Sequence, residues 1–257
     1  MIDLWLASGA LGIVLVPFIL LYSLAAGIVW LTHLSPLRPF FVTCIGVTGP
    51  FFASVAVLFG LFSAFLASDV DHRNAELKAA IFREADGIRT ILRLAETAGV
   101  EGQQLTAAVV AYAHSVLTKE WPAMRERNVE SEDLGALRNL MTAVLSPQQK
   151  GTMSAATQQA LLQGLIEVRQ ARLGRLSLAR GASDRMNWLA MLALGILTQV
   201  AIAVVQLERL RPQALALFVF TTAFATTVVL IAFAELAVSG GAIDAAPLRA
   251  AVASARQ

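Results

Sequence analysis

Four long apolar stretches, with a polar segment between the second and the third, set the pattern of this chain. A bilayer core of about 30 Å requires roughly 20 apolar residues at about 1.5 Å rise per residue. The stretches that meet this length cover residues 11–34, 49–68, 186–205 and 212–236. No Lys or Arg precedes the first stretch, and its apolar part is longer than the roughly 7–15 residues of a secretory signal. We therefore predict four retained transmembrane helices.

The polar segment has the period of amphipathic helices. In its first two helical regions apolar residues recur at steps of three and four, which is the spacing of one helix face. A first stripe holds Leu77, Ile81, Ala85, Ile88, Leu92 and Ala95, and a second holds Leu105, Val109, Tyr112 and Val116. A third follows Ser154 and holds Leu161, Leu165, Val168, Leu173 and Leu176. Pro122 is expected to end or kink the second helix. The first and third helices join the neighbouring spans without a proline, which predicts a helical stalk that continues from the membrane.

The composition is that of a membrane protein. Hydrophobic residues make up 57% of the 257 residues and charged residues 15%, against about 45–50% and about 25% in soluble domains. The single cysteine, Cys44, excludes an internal disulfide, and no CxxC or Cys/His cluster predicts a zinc site. Walker A, GxGxxG, GxSxG and HExxH motifs are absent. We predict neither an enzyme nor a bound cofactor or metal.

The charges concentrate between Asp69 and Arg185. This block holds 15 of the 20 Lys and Arg and 14 of the 18 Asp and Glu. Basic residues are dense near its two ends, whereas the short loops between spans carry only Arg38, Arg209 and Arg211. The positive-inside rule therefore predicts that the block and both termini lie in the cytoplasm. Basic residues next to a membrane suit anionic lipid headgroups better than nucleic acid.

The predicted fold class is an all-α integral membrane protein with four transmembrane helices and a cytoplasmic helical stalk domain. An N-terminal transmembrane hairpin covers residues 1–68, and the cytoplasmic helical domain covers 69–185. A C-terminal transmembrane hairpin covers 186–237, and a cytoplasmic tail covers 238–257.

The second span carries five phenylalanines within residues 51–65. On a helical wheel of about 100° per residue, its larger side chains share an arc of about 120°. These are Phe51, Val55, Phe59, Phe62, Phe65, Leu66 and Asp69. Small residues of the opposite arc would let another helix backbone approach closely in a membrane. We predict that this small face packs within the subunit, through Ala56, Gly60, Ser63 and Ala67.

The aromatic face would then point elsewhere, and two alternatives are open. Lipid accepts phenylalanine, so the face can simply contact lipid. Alternatively, rings of aromatic residues from several subunits line a pore and form a hydrophobic constriction that gates by dewetting. The stripe ends at Asp69, and Arg73 follows one turn later on the same face. This passage from apolar to charged residues favours the pore.

Polar residues elsewhere have simpler interpretations. Glu235 lies near the end of the fourth span, so a solvated interfacial carboxylate explains it better than a buried functional acid. Gln199 predicts an interhelical hydrogen bond. His72 with Asp69 and Asp71 is a conceivable pH-sensitive cluster, but a solvated turn explains it more simply. Hydroxyls of the fourth span are expected to bond to their own backbone carbonyls, at Thr221, Thr222, Thr226 and Thr227.

Several stretches resemble a known family. Residues 59–94 are similar to the segment in which the second span of bestrophin channels leaves the membrane, with Asp71-His72-Arg73 near that family's Tyr-Asp-Arg. KEWPAM (119–124), VRQARLGRLSLA (168–179) and the closing pair of spans resemble the bacterial bestrophin-like membrane proteins grouped as DUF4239. The likeness covers nearly the whole chain. After the last span, where relatives carry an Asp-Arg-Pro-Phe-Ser-Gly type of stretch, this chain has ELAVSGG (235–241).

The resemblance implies a homo-oligomer of the bacterial inner membrane, pentameric in bestrophins, with the second span of each subunit around a central ion pathway. Carried over by position, the neck of the pathway would be formed by Val55, Phe59, Phe62 and Leu66. Asp69 and Arg73 would lie at its cytoplasmic exit. The acidic calcium clasp of animal bestrophins has no counterpart in the tail, so calcium gating is not predicted.

Two hypotheses follow. The first is a bestrophin-like ion channel that passes small ions through a hydrophobic neck lined by the second transmembrane helix of each subunit, with its ion selectivity, gating stimulus and subunit number left open. The second is a membrane-anchored scaffold or sensor, whose cytoplasmic helical domain binds a partner and whose phenylalanine face lies in lipid.

Overall fold

The computed structural model describes residues 5, 9–36, 39, 49–97, 99–125, 134–146, 154–180, 185–238 and 245–253. In chain order its helices are α1 (Gly9–His33), α2 (Gly49–Glu96), α3 (Gly99–Ser115), a π-helix (Val116–Glu120), α4 (Trp121–Arg125), α5 (Leu134–Leu145), α6 (Ala155–Arg180), α7 (Arg185–Val205), α8 (Leu210–Val238) and α9 (Ala246–Ala253). Helices α1, α2, α7 and α8 are long and apolar enough to cross a membrane. The prediction of an all-α membrane protein with four spans is confirmed. Residues 181–184, between the third stripe and the third span, lie outside the described residues.

The chain divides into two compact units. The first, which we call the span unit, comprises Met1–Asp71 and Ala182–Leu236. The second, which we call the helical unit, comprises His72–Gly181 and Ala237–Gln257. Helix α2 contributes its first part to the span unit and its remainder to the helical unit.

Close ring contacts hold the span unit together. Phe224 of α8 is fully buried, and its ring centroid lies 5.1 Å from that of Phe59 on α2. Gly195 of α7 leaves room for the same ring, because a Cβ atom added there would overlap Phe224. Tyr22 of α1 adds a hydrogen bond of 2.7 Å between its hydroxyl and the Thr222 hydroxyl of α8. Trp188, which stands near a span end, is buried against Trp5 at 6.0 Å between ring centroids.

Replacing Gly195 by alanine is therefore expected to destabilise the span unit. The added methyl group would collide with a buried ring, and overpacking of this kind typically costs about 1–3 kcal/mol. Gly27→Ala in α1 is the matched control, because a Cβ there would meet no atom within 4 Å. We expect a lower midpoint of thermal unfolding in detergent for Gly195→Ala alone. Equal midpoints for the two variants would contradict the described packing.

Apolar stripes form the core of the helical unit as the sequence predicts. The six stripe residues of α2, from Leu77 to Ala95, expose at most 4% of their surface. The second stripe, from Leu105 to Val116, is equally buried. In the third stripe, Leu161, Leu165, Val168 and Leu176 are buried. Leu173 is 45% exposed, so its assignment to the core is wrong.

Helices α2 and α6 approach closely at glycines. A Cβ atom added to Gly87 of α2 would come within 2.7 Å of the Val168 side chain of α6. A Cβ added to Gly164 of α6 would lie 3.2 Å from the Ile91 side chain. Because glycine has no side chain at these points, the two helices can bring their other side chains, including charged ones, into direct contact.

Candidate functional site

The second span has one face inside the subunit. Phe59, Ser63, Leu66 and Val70 are spaced by four, three and four residues, and each exposes 9% of its surface or less. This spacing places them along one side of a helix. The buried side of the second span therefore runs through Phe59 and Leu66.

The four predicted neck residues do not share one environment. Phe59 lies 5.5 Å from Phe220 and 5.1 Å from Phe224 between ring centroids, and Leu66 is 2% exposed. Phe62 is 38% exposed, and Val55 is partly buried. Within the subunit Phe59 therefore packs against two rings of α8, and Leu66 is buried.

The small residues are not the packing face within the subunit. Gly60 and Ala67 are exposed, and a Cβ atom added to Gly60 would meet nothing within 4 Å. Ala56 is partly buried, and Ser63 alone of the four is buried. The prediction is therefore wrong for Gly60 and Ala67. The physical reason is that α2 makes its close contact through the Phe59 ring, which packs on Phe220 and Phe224 of α8. Helix α7 approaches Phe224 at Gly195.

An apolar face of α2 points away from the subunit interior. Val57, Leu61 and Phe65 are 68%, 46% and 62% exposed. They recur every four residues; Val57 and Leu61 lie on the side of the helix opposite Phe59 and Leu66, and Phe65 lies between the two sides. We call these three residues the outward face. Such a face can contact lipid or the same residues of further subunits.

Charged residues follow the outward face along α2. Asp69 is exposed, and Arg73, one turn later, is partly buried. His72 Nε2 lies 3.2 Å from Glu76 Oε1, and both side chains are largely exposed. His72 thus pairs along its own helix with Glu76, a residue outside the acidic pair considered from the sequence.

Polar residues of the other spans form hydrogen bonds to a neighbouring helix and to their own backbone. Gln199 donates to the Thr221 hydroxyl at 2.9 Å, as predicted. Hydroxyls of three threonines of α8 donate to carbonyls one turn back, as predicted for Thr222, Thr226 and Thr227. Glu235 is 3% exposed, so the expectation of a solvated carboxylate is wrong. Among the described residues, no group of three or more His, Cys, Asp or Glu is placed to hold a metal ion.

A buried ion cluster in the helical unit is the main polar feature that sequence reasoning missed. Arg175 Nε donates to Glu84 Oε2 at 2.7 Å, and its Nη2 donates to Glu84 Oε1 at 3.1 Å and to Glu120 Oε2 at 2.7 Å. Arg172 Nε donates to Glu120 Oε1 at 2.8 Å, and the Tyr112 hydroxyl donates to Glu84 Oε1 at 2.6 Å. No residue of this cluster exposes more than 6% of its surface.

The ion cluster is balanced in charge, with two carboxylates and two guanidinium groups. Burial by itself lowers the pKa of Arg175, but the Glu84 and Glu120 carboxylates outweigh it and hold that pKa above its ordinary value. Burial raises the pKa of Tyr112, and the Glu84 carboxylate raises it further. Arg175 therefore stays charged and Tyr112 stays neutral near neutral pH. This arrangement joins helices through charged side chains.

Pro122 explains how Glu120 enters the cluster. Proline has no N–H, and its ring clashes with the carbonyl four residues earlier in an α-helix. Here the Trp121 N–H donates to the Val116 carbonyl, five residues back, and the wider π turn precedes the proline. Insertions of this kind are frequent at functional sites. Beyond it, Trp121 lies under the Arg175 guanidinium, 5.6 Å from Cζ to the ring centroid.

The sequence did hold a signal for this cluster. Glu84 interrupts the first apolar stripe, next to the buried Ala85. Glu120 belongs to KEWPAM, and Arg172 and Arg175 belong to VRQARLGRLSLA. Two of the stretches that carry the family resemblance therefore meet in one buried contact.

Comparisons with known proteins agree with this architecture. The sequence model of the family described as the Bestrophin-like domain matches residues 19–239. Two crystal structures of substituted forms of a bacterial bestrophin homologue from Klebsiella pneumoniae superpose with TM-scores of 0.68 and 0.70, each at 16% identity. The first alignment covers 94% of this chain and 96% of that chain, and the second covers 94% and 95%. No curated protein matches the sequence.

Proposed function

Because the chain belongs to the bestrophin-like family, we propose that it is an ion channel, a homo-oligomer in which the second span of each subunit surrounds a central pore for small ions. The observation that carries the proposal is the outward face of α2. Val57, Leu61 and Phe65 are large, apolar and exposed, and the charged Asp69 follows them. Apolar side chains around a narrow pore form a constriction that dewets, and a charged group beside it biases which ions enter.

The proposed neck consists of the outward face, with Phe62 at its margin. A neck residue must be free of contacts inside its own subunit, and Phe59 and Leu66 do not meet this condition. Val57, Leu61 and Phe65 stand one turn apart, so each would form one ring of identical side chains about the axis. The exposed Gly60 and Ala67 flank this face. They would allow close approach of the next subunit, as small residues do in membranes.

The proposed setting is a bacterial inner membrane, crossed several times, with both termini in the cytoplasm. Arg73, Lys78 and Arg83 follow the second span, and the positive-inside rule supports this orientation. The cytoplasmic helical domain would cover residues 69–185, between transmembrane hairpins over 1–68 and 186–237, and the tail over 238–257. Five subunits are proposed by analogy with bestrophins.

Reconstitution tests the proposal. Purified protein should show discrete unitary currents in planar bilayers, and native mass spectrometry from detergent should give a multiple of the subunit mass. A chain whose spans only anchor it would give no unitary current at any voltage. Absence of current together with a monomeric mass would contradict the proposal.

A further inference from the structure

The helical unit has two apolar patches on opposite sides of the α2–α6 pair. Phe82 of α2 is 61% exposed. Ile166 and Leu173 of α6 are 47% and 45% exposed. Large aromatic side chains are favoured at protein interfaces, where they often contribute much of the binding energy.

The orientation of the two patches follows from the contacts between α2 and α6. Gly87 faces α6, because a Cβ added there would meet Val168. Phe82 lies five residues earlier, which rotates it by about 140° away from that contact at 100° per residue. On α6, Gly164 faces α2, since a Cβ there would meet Ile91. Leu173 is nine residues further, about 180° away. Phe82 and Leu173 of one subunit therefore cannot reach each other.

The exposed residues of α6 have the spacing of a hole for one large side chain, which we call the socket. Ile166, Arg169, Gln170 and Leu173 are exposed and spaced as i, i+3, i+4 and i+7. Four residues at this spacing form the hole that receives a knob in helix packing. Ile166 and Leu173 are about 10 Å apart along the helix, at about 1.5 Å per residue. Arg169 adds a guanidinium that can stack on an aromatic ring.

We propose that Phe82 of one subunit inserts between Ile166 and Leu173 of the next subunit in the ring. The inference rests on the homo-oligomer of the proposed function. A closed ring without two-fold contacts needs two different complementary patches on each subunit, one for each neighbour. The knob on α2 and the socket on α6 meet this requirement. Lys78 and Asp86, one turn on either side of Phe82, are exposed charges that would lie at the rim of the contact.

Cysteine cross-linking in the full-length protein tests the contact. In a Cys44→Ser background, we expect the pair Phe82→Cys and Leu173→Cys to give a ladder of covalent oligomers on oxidation or with a short bis-maleimide. The replaced residues are exposed, so the fold should be retained. The control pair Phe82→Cys and Leu145→Cys joins the same knob to an equally exposed apolar residue of α5. It should remain monomeric on denaturing gels.

Two results would overturn the inference. A ladder of equal yield in the control pair would mean that the cross-link does not depend on the socket. Dimers from Phe82→Cys alone would mean that copies of Phe82 meet one another. Native mass spectrometry separates this inference from the proposed function, because a ring without the 82–173 cross-link contradicts only the packing. A monomeric mass contradicts the oligomer itself.

Discussion

Replacing Arg175 by methionine is expected to lower the free energy of unfolding of the helical unit by about 3–5 kcal/mol, the usual effect of removing one partner from a buried ion pair. The loss leaves the Glu84 and Glu120 carboxylates without three hydrogen bonds that Arg175 donates. At about 2–4 °C per kcal/mol for a domain of this size, thermal unfolding followed by circular dichroism should shift by about 6–20 °C.

Two further variants show whether the effect belongs to the ion cluster. Arg138→Met removes an exposed arginine from α5 and should leave the midpoint nearly unchanged. The double variant Arg175→Met with Glu84→Gln should be less destabilised than the sum of the single variants. Glu84→Gln removes the carboxylate charge that Arg175→Met would leave buried and uncompensated. An Arg175→Met protein that unfolds at the same temperature as the wild type would contradict the conclusion that the ion cluster stabilises the helical unit.

Replacing Leu61 or Phe65 by serine is expected to increase the unitary current. In the proposed neck these side chains repel water, and hydroxyls at the same positions would lower the free-energy barrier for a hydrated ion. Each 1.4 kcal/mol removed from the barrier corresponds to about a tenfold gain in rate. The measurement is single-channel recording in planar bilayers, with wild type and variants in the same salt.

Phe59→Ala is the matched control for the neck. It removes a phenylalanine from the same helix, but one buried against Phe220 and Phe224. We expect it to destabilise the span unit by about 3–5 kcal/mol and to leave the current of each open channel unchanged. If the current responds to Phe59→Ala and not to Leu61→Ser, the pore lies along the face first predicted from the sequence. If neither variant changes the current, the second span faces lipid.

The helices could be predicted because their signals are local. Apolar periodicity identified the buried stripes of α2 and α3, and span length identified the four membrane helices. Leu173 lies five residues after Val168, which departs from that period and turns its side chain by about 140°, and it is exposed. The second span shows what such local signals leave out. The helical wheel of the second span separated large from small residues correctly. It could not show that Phe220 and Phe224, which are far away in the sequence, pack on Phe59.

The ion cluster was missed for a different reason. Charged residues are mostly exposed, so a block rich in charge predicts solvated surfaces. Glu84 and Arg175 depart from that rule because they are separated by 91 residues and meet only in the folded chain. Their burial depends on the close approach of α2 and α6 at Gly87 and Gly164. Spacing along α2 places Glu84 beside the apolar stripe, but it does not identify Arg175 as the partner of Glu84.

The place of Trp121 under Arg175 provides an optical probe of the helical unit. Of the four tryptophans, Trp5, Trp30 and Trp188 belong to the span unit, and Trp121 alone belongs to the helical unit. The guanidinium lies 5.6 Å from the Trp121 ring centroid in a buried site. Indole fluorescence is sensitive to a nearby charge and to water, so opening of the ion cluster would change the emission of Trp121 directly. The protein therefore carries an intrinsic fluorophore at the contact between KEWPAM and the arginines of α6.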